Sequence, residues 1–248
     1  MGIRRRAGVA GAIVAAVLLV GGCAGTASDA PASPSPTRTQ PPRIQDLVTP
    51  SPTPTAPPTA EPVAQTVDAG VVAEGASATV SGAGPSNITY QRQGEFAVVI
   101  ELDCSACTGA TVVTAPGRMS PLGEAAAPMR GSFLMDVFTE DPVNQTLIVQ
   151  AEGAWTVTLQ SWNDVSYVSG PQSGTGPVVL FFSDDVSRMT VDYTPADADD
   201  SFSGRVFTTS DTPQLFGDSV AFSEVFDADL PGIMAIKTQG TWTVTPTP

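Results

Sequence analysis

The sequence contains no histidine, a single lysine (Lys237) and only three cysteines, and each shortage narrows the possible functions. Histidine is the commonest general base at neutral pH and the commonest metal ligand, so its absence argues against hydrolytic and metal-dependent catalysis. The formal net charge of −14 repels phosphate groups and argues against nucleic-acid binding. We therefore predict that the chain is not an enzyme and that it uses no cofactor.

The first 22 residues have the composition of a secretory signal peptide. Three arginines at positions 4–6 precede 16 uninterrupted apolar or glycine residues, at positions 7–22. A transmembrane helix needs about 20 residues, so the run fits the apolar region of a signal peptide better. Because residues 1–22 contain three arginines and no acidic residue, removing them lowers the net charge from −14 to −17.

The predicted signal peptide is followed directly by Cys23, and residues 20–23, Val-Gly-Gly-Cys, resemble the lipobox that signal peptidase II cleaves in bacterial lipoproteins. The resemblance implies cleavage between Gly22 and Cys23, and a diacylglyceryl thioether on the Cys23 sulfur. Two acyl chains on one residue anchor a protein stably, whereas one chain binds reversibly. We therefore expect Cys23 to hold the protein at the extracytoplasmic face of the cell membrane. The alternative is an ordinary secreted protein.

Residues 23–65 are predicted to form a disordered tether. Proline, serine, threonine and alanine dominate this segment, with 11 prolines in residues 24–64. Such a composition cannot bury enough apolar surface to offset its chain entropy. At about 3 Å per residue, the tether would reach on the order of 100 Å.

From residue 66 onward the pattern predicts short antiparallel strands. In residues 95–103 the side chains of Phe96, Val98, Ile100 and Leu102 fall on one face, and residues 155–160 alternate in the same way. Alternation with period two, divided by glycine, proline, aspartate and asparagine, is typical of β-strands. The predicted fold class is therefore all-β, and sandwich-like.

The chain also repeats itself. Ser-Gly-Ala-Gly-Pro at residues 81–85 matches residues 173–177, and Gly-Ala-Trp-Thr-Val-Thr at residues 153–158 matches residues 240–245. These matches predict two tandem antiparallel β-sandwich modules, residues 66–163 and 164–248. The pattern resembles small β-sandwich modules of exported proteins from Gram-positive bacteria. Modules of this size are marginal alone, so we expect them to pack together.

Residues that occur in both modules are expected to be structural. Trp155 and Trp242 occupy equivalent positions on the last strand of each module, and we predict that both lie in the core with a partner for the indole N–H. Three further aromatic residues, Tyr90, Trp162 and Tyr167, are predicted to pack between the modules, with sugar stacking as the alternative.

Two features occur in one module only. Cys104 and Cys107 form a Cys-x-x-Cys pair that we predict to be a local disulfide, since exported proteins are usually oxidised. Thiol–disulfide or copper(I) chemistry is the alternative. Asp197, Asp199 and Asp200 form the densest carboxylate cluster, for which we predict a solvated loop, with calcium binding as the alternative.

Together these patterns predict a surface-exposed, membrane-anchored lipoprotein that binds an unknown extracellular protein or serves as an envelope scaffold. The partners would be the membrane, through Cys23, and a protein or cell-wall component, but no nucleic acid. Two alternatives stay open, namely a binding module for cell-wall glycan or Ca²⁺, and an exported thiol–disulfide protein that uses Cys104 and Cys107.

Overall fold

The computed structural model of the chain describes residues 64–136, 142–208 and 212–248. The predicted signal peptide, Cys23 and nearly all of the tether lie outside the described residues. Within the described ranges the protein is built from 16 β-strands and one short 3₁₀ helix, Trp162–Asp164, which confirms the all-β fold class. This part of the chain contains no helix long and apolar enough to span a membrane.

The strands before and after the 3₁₀ helix belong to different sheets, and we name the two groups module 1 and module 2. The strands of module 1 are β1 (Gln65–Ala73), β2 (Ala78–Ala83), β3 (Ser86–Gln93), β4 (Val98–Thr114), β5 (Gly123–Ala126), β6 (Met129–Met135) and β7 (Asn144–Ser161). The strands of module 2 are β8 (Tyr167–Val168), β9 (Gln172–Thr175), β10 (Val178–Phe182), β11 (Arg188–Thr194), β12 (Ser203–Phe207), β13 (Gln214–Phe216), β14 (Phe222–Asp227), β15 (Gly232–Lys237) and β16 (Thr241–Thr247).

Module 1 is a single seven-stranded sheet that folds over onto itself. Its two longest strands, β4 and β7, pair along two separate stretches, with register shifts of β4 between them. One stretch is flanked by β2 and β6 and the other by β3 and β5, while β1 adds to β3 in parallel. Apolar residues of both stretches share one core, so the two halves of the sheet pack face to face.

Module 2 repeats this arrangement with broken strands. The counterparts of the two halves of β4 are β11 and β12, and the counterparts of the two halves of β7 are β15 and β16. The breaks divide the sheet in two, with strand orders β13-β12-β15-β10-β8 and β14-β11-β16-β9. The parallel pairing of β1 with β3 recurs as the pairing of β8 with β10.

The alternation predicted for residues 95–103 is present, but it is incomplete. Phe96, Val98, Ile100 and Leu102 are all buried in the core of module 1. Ala97 and Val99, on the opposite face, are also buried, because they contact Val179 and Ile233 of module 2. On this opposite face, solvent exposure begins at Glu101.

The repeated motifs meet in module 1 around Trp155, which is 2 % exposed. Trp155 lies opposite Gly82 in the β2–β7 ladder, and a Cβ atom at Gly82 would collide with the indole ring. The indole Nε1–H donates to the carbonyl of Gly84 at 2.9 Å, and the N–H of Gly84 donates to the carbonyl of Gly153 at 3.0 Å. The buried polar group is thus satisfied, as burial requires.

Module 2 contains the same set of contacts around Trp242, which is 6 % exposed. The ring covers Gly174, its Nε1–H donates to the carbonyl of Gly176 at 2.8 Å, and the N–H of Gly176 donates to Gly240 at 2.9 Å. We call this arrangement, in both modules, the tryptophan lock. It explains why the Gly-x-Gly turn and the Gly-x-Trp strand recur as a pair.

The tryptophan lock predicts a specific coupling between Gly82 and Trp155. Gly82→Ala should lower the free energy of unfolding by about 1–3 kcal/mol, because the added methyl group overpacks the ring. In a Trp155→Phe background the smaller ring leaves room, so the same substitution should cost less. Urea unfolding of the four proteins measures the coupling.

The matched control for this cycle is Ser81→Ala on the opposite face of β2, where the hydroxyl group contacts Thr156 in solvent. It should change the free energy of unfolding by about 0.5 kcal/mol or less. Equal costs of Gly82→Ala in both backgrounds would contradict the assigned packing.

Candidate functional site

The cysteine pair of module 1 and the acidic cluster of module 2 lie at equivalent places in the fold. Cys104 and Cys107 lie where β4 passes from one half of the sheet to the other. Cys104 falls within the register shift at residues 103–106, and Cys107 lies between this shift and the one at residues 108–112. In module 2 the same passage is the connection from β11, which ends at Thr194, to β12, which begins at Ser203. The acidic cluster is part of that connection. We call these two places the corners of module 1 and module 2.

The corner of module 1 is closed by a disulfide bond between Cys104 and Cys107, whose Cα atoms are 5.1 Å apart. Both cysteines are buried, Cys104 completely and Cys107 to 95 %. Gly153 lies opposite Cys107 with a φ of 106°, and a Cβ atom there would lie 2.6 Å from the carbonyl oxygen of Ala106. The corner is therefore too tight for any other residue at position 153.

The surroundings of the disulfide favour a structural role. Strand β4 continues through Cys107 to Thr114, whereas a thioredoxin-type motif places the cysteine pair at a helix N-terminus that lowers the thiol pKa. Next to the pair, hydrogen bonds from Ser105 hold the pKa of Asp103 below its usual value, with a further contribution from Arg130 at 2.9 Å. Asp103 is thus an ionised, partly exposed neighbour of two buried cysteines.

The corner of module 2 is held by the carboxylate of Asp200, which is only 5 % exposed. Its oxygens accept hydrogen bonds from the backbone N–H groups of Ala196 and Gln239, each at 3.0 Å, and from the hydroxyl of Thr238. Thr238 and Gln239 lie between β15 and β16, so one side chain joins the breaks in both long strands. Asp200 thus stabilises with hydrogen bonds the same passage that the disulfide closes in module 1, and it also links that passage to the connection between β15 and β16.

The pKa of Asp200 reflects these contacts. Burial alone would raise the pKa of the carboxyl group, but the donors from Gln239, Ala196 and Thr238 outweigh burial and lower it below the ordinary value. A lowered pKa in the folded state stabilises the fold above the unfolded-state pKa of about 3.9. That contribution is lost as the pH falls through the folded-state pKa.

The structure does not assemble the carboxylates of the acidic cluster into a cation site. Asp197 and Asp199 are exposed, and Asp197 accepts the N–H of Asp199 at 3.0 Å. Asp200 points inward to protein donors instead. Among residues 64–136, 142–208 and 212–248, no three Asp, Glu, Cys or His side chains are grouped to hold a metal ion.

The three other aromatic residues have different environments. Trp162 is half-buried between the modules and meets the ring of Phe207 edge-on at 5.8 Å, as expected for a residue at the junction. Tyr90 lies instead in the core of module 1, where its hydroxyl donates to Gln145 at 2.8 Å. Tyr167 is 66 % exposed and rests on Phe181, so the prediction that it packs between the modules is wrong.

The junction between the modules was only partly predictable. Its apolar centre consists of Ala97, Val99, Leu134, Val179, Ile233 and Ala235. At its edge, the N–H of Ser132 donates to the carbonyl of Pro177 at 3.2 Å, and the Ser132 hydroxyl accepts from Val179 at 2.8 Å. The sequence signal that could have indicated this junction is the composition of β10 and β15. Both strands are apolar at almost every position, as is typical of strands that are covered on both faces.

Two charged contacts that the sequence did not indicate complete the junction. Arg205 of module 2 pairs with Asp136 of module 1 at 2.5 Å and donates to the carbonyl of Leu134 at 3.3 Å. Lys237 donates to the carbonyl of Pro121 at 2.9 Å. The modules are therefore held by an apolar centre with a polar rim.

Comparison with known proteins adds little. No protein-family model matches the chain, and no curated protein matches it. Among solved structures, the CUB1-EGF-CUB2 domains of rat MASP-1 align with 74 % of this chain and 100 % of that one, at 7 % identity and a TM-score of 0.24. A similarity at that level carries no argument about the function of this chain.

The corner of module 1 predicts that reductant weakens that module. Replacing Cys104 and Cys107 together by alanine should lower the free energy of unfolding by about 2 kcal/mol, the entropy expected for so short a loop. Reductant should lower the stability of the parent protein by a similar amount and leave the double variant unchanged. Guanidinium unfolding with and without reductant measures both effects. Two reactive thiols in the untreated native protein would contradict the assignment.

The corner of module 2 predicts an acid-sensitive contribution from Asp200. Asp200→Asn should lower the free energy of unfolding by about 2 kcal/mol at pH 7, because the amide nitrogen would face backbone donors. The parent protein should lose this advantage as the pH falls below about 4, so the two stability curves converge there. Asp199→Asn, at an exposed position, is the matched control. A constant gap between the curves down to pH 2 would refute the assignment.

Proposed function

We propose that this protein is a bacterial surface lipoprotein, anchored through Cys23, whose two docked modules act as a scaffold or as a binding body for another extracellular protein. The proposal has two independent parts. The anchor rests on the sequence of the first 23 residues, and the scaffold role rests on the described modules.

The anchor is supported by the order of the N-terminal features. A basic start, an apolar run and the Val-Gly-Gly-Cys ending occur in the order that lipoprotein export requires. The proline-rich segment after Cys23 would keep the modules away from the lipid surface, at a distance on the order of 100 Å. The acidic charge of the mature chain acts in the same direction, because it repels anionic headgroups.

The observation that carries the scaffold role is the docking of the two modules. An apolar centre, the Arg205–Asp136 pair and the Lys237–Pro121 contact join them, so the modules present their surfaces in a fixed relation. The two chemically distinctive groups, the disulfide and Asp200, are both used inside the corners. A fixed relation between surfaces is what a scaffold or a protein-binding body needs.

The anchor is tested by expressing the full chain and a Cys23→Ala variant in a bacterium that processes lipoproteins. We expect the parent protein to partition into the detergent phase and its N-terminal peptide to carry the mass of a lipidated cysteine. Cys23→Ala should abolish both properties, because no thiol remains to accept the lipid.

The Cys104→Ala/Cys107→Ala variant is the control, since it removes two cysteines without touching the cleavage site, and it should remain anchored. A parent protein that is water-soluble and starts at another residue would overturn the anchor. The scaffold role would then apply to a secreted protein.

A further inference from the structure

A cleft with two lobes lies at the junction between the modules. The first lobe has a volume of about 230 Å³ and the second about 350 Å³. Both are lined by Pro121 of module 1 and by Ser203 and Lys237 of module 2, so the lobes adjoin. Together they approach the size of small-molecule sites, which often lie between domains. We call this space the junction cleft.

The first lobe is cationic. Arg118, Arg205 and Lys237 line it, together with one carboxylate, Asp136. Arg205 is held in place by Asp136 and by the carbonyl of Leu134, and Lys237 by the carbonyl of Pro121. With Asp136 counted, the lobe still has two more cationic than anionic side chains, in a protein with a net charge of −14.

Lys237 is the single lysine of the chain, and its position in the cleft disfavours its charged form. Burial lowers the pKa of its ammonium group, and the nearby Arg205 lowers it further, while Glu124 opposes both effects. An anionic ligand group in the first lobe would stabilise this half-buried ammonium group and add to the attraction of Glu124. Perturbed groups in a cleft are typical of binding sites.

The second lobe is acidic. Glu124, Asp199 and Asp200 line it, and Lys237 stands at its border with the first lobe. Asp200 is already saturated by protein donors, whereas Glu124 and Asp199 are exposed. The carboxylates of Glu124 and Asp199 are therefore the groups that a ligand cation would meet.

We propose that the junction cleft binds a small zwitterion, namely an amino acid or a short peptide with free termini. Its carboxylate lies in the first lobe near Lys237 and Arg118, and its ammonium group lies in the second lobe near Glu124 and Asp199. A dianion would be repelled by the acidic lobe and a dication by the cationic lobe, so the pair of lobes selects opposite charges on one molecule. This role goes beyond the proposed scaffold and does not depend on the lipid anchor.

The experiment is calorimetric titration of the full-length protein in detergent, at pH 7 and low salt, with three probes. Triglycine carries both charges, N-acetyl-triglycine lacks the cation, and triglycine amide lacks the anion. We expect triglycine to bind, and each blocked form to bind at least about tenfold more weakly, the loss expected for one charge-assisted hydrogen bond. No binding of triglycine, or equal binding of all three probes, would overturn the proposal.

Variants assign the lobes. Lys237→Gln should weaken triglycine about tenfold and leave triglycine amide unchanged, while Glu124→Gln should weaken triglycine and leave N-acetyl-triglycine unchanged. Arg130→Gln and Glu152→Gln, which do not line the cleft, are the matched controls and should bind as the parent does. An unchanged melting temperature verifies that each variant is folded, and Arg118→Gln, which removes a charge from the same lobe, replaces Lys237→Gln if the latter is not folded. Triglycine binding that neither cleft variant affects would place the site elsewhere and refute the proposal.

Discussion

The packing of one tryptophan ring onto one glycine is the contact on which each module depends. Glycine is the only residue type at position 82 that leaves room for the Trp155 ring. The turn that follows supplies the Gly84 carbonyl, to which the buried indole N–H donates. In the same turn, the N–H of Gly84 donates to the carbonyl of Gly153, where β7 bends. The tryptophan lock therefore couples the side-chain core, the β2 ladder and the bend. It explains why a short motif recurs while the sequence around it has diverged.

The two corners show how one topological problem is solved with different chemistry. A sheet that folds over onto itself has to bend its two longest strands, and backbone groups at the bend lose their ladder partners. Module 1 keeps the strands continuous and crosslinks β4 at the bend. Module 2 breaks both strands and satisfies the exposed N–H groups with one buried carboxylate. We therefore expect the two modules to respond to different conditions, module 1 to reductant and module 2 to acid.

Docking of the modules buries the outer faces of the strands that meet at the junction. Val99 and Val179 lie on faces that would point to solvent in an isolated module. Their burial adds an apolar centre that small modules need, since such modules bury only about 60 % of the surface of the unfolded chain. It also creates the junction cleft, whose charged lining comes from both modules.

The sequence alone predicted the contacts that are local or repeated, and it failed for those that depend on distant register. Trp155 and Trp242 were identifiable because the repeat marks them, and residues 95–103 because alternation is a local signal. The inward role of Asp200 was not visible, because its donors at residues 238–239 are almost 40 positions away. Tyr90 and Tyr167 were misplaced for the same reason, since an aromatic residue near a strand end carries no information about which face its neighbours cover.

The most direct test of the tryptophan lock is hydrogen exchange of the three indole N–H groups, measured by nuclear magnetic resonance on the native protein. If the rings of Trp155 and Trp242 are locked as described, their Nε1–H signals should exchange only with global unfolding of their modules. The half-buried Trp162 should exchange much faster, since it lies at the junction. Exchange of Trp155 and Trp242 as fast as that of Trp162 would contradict the account.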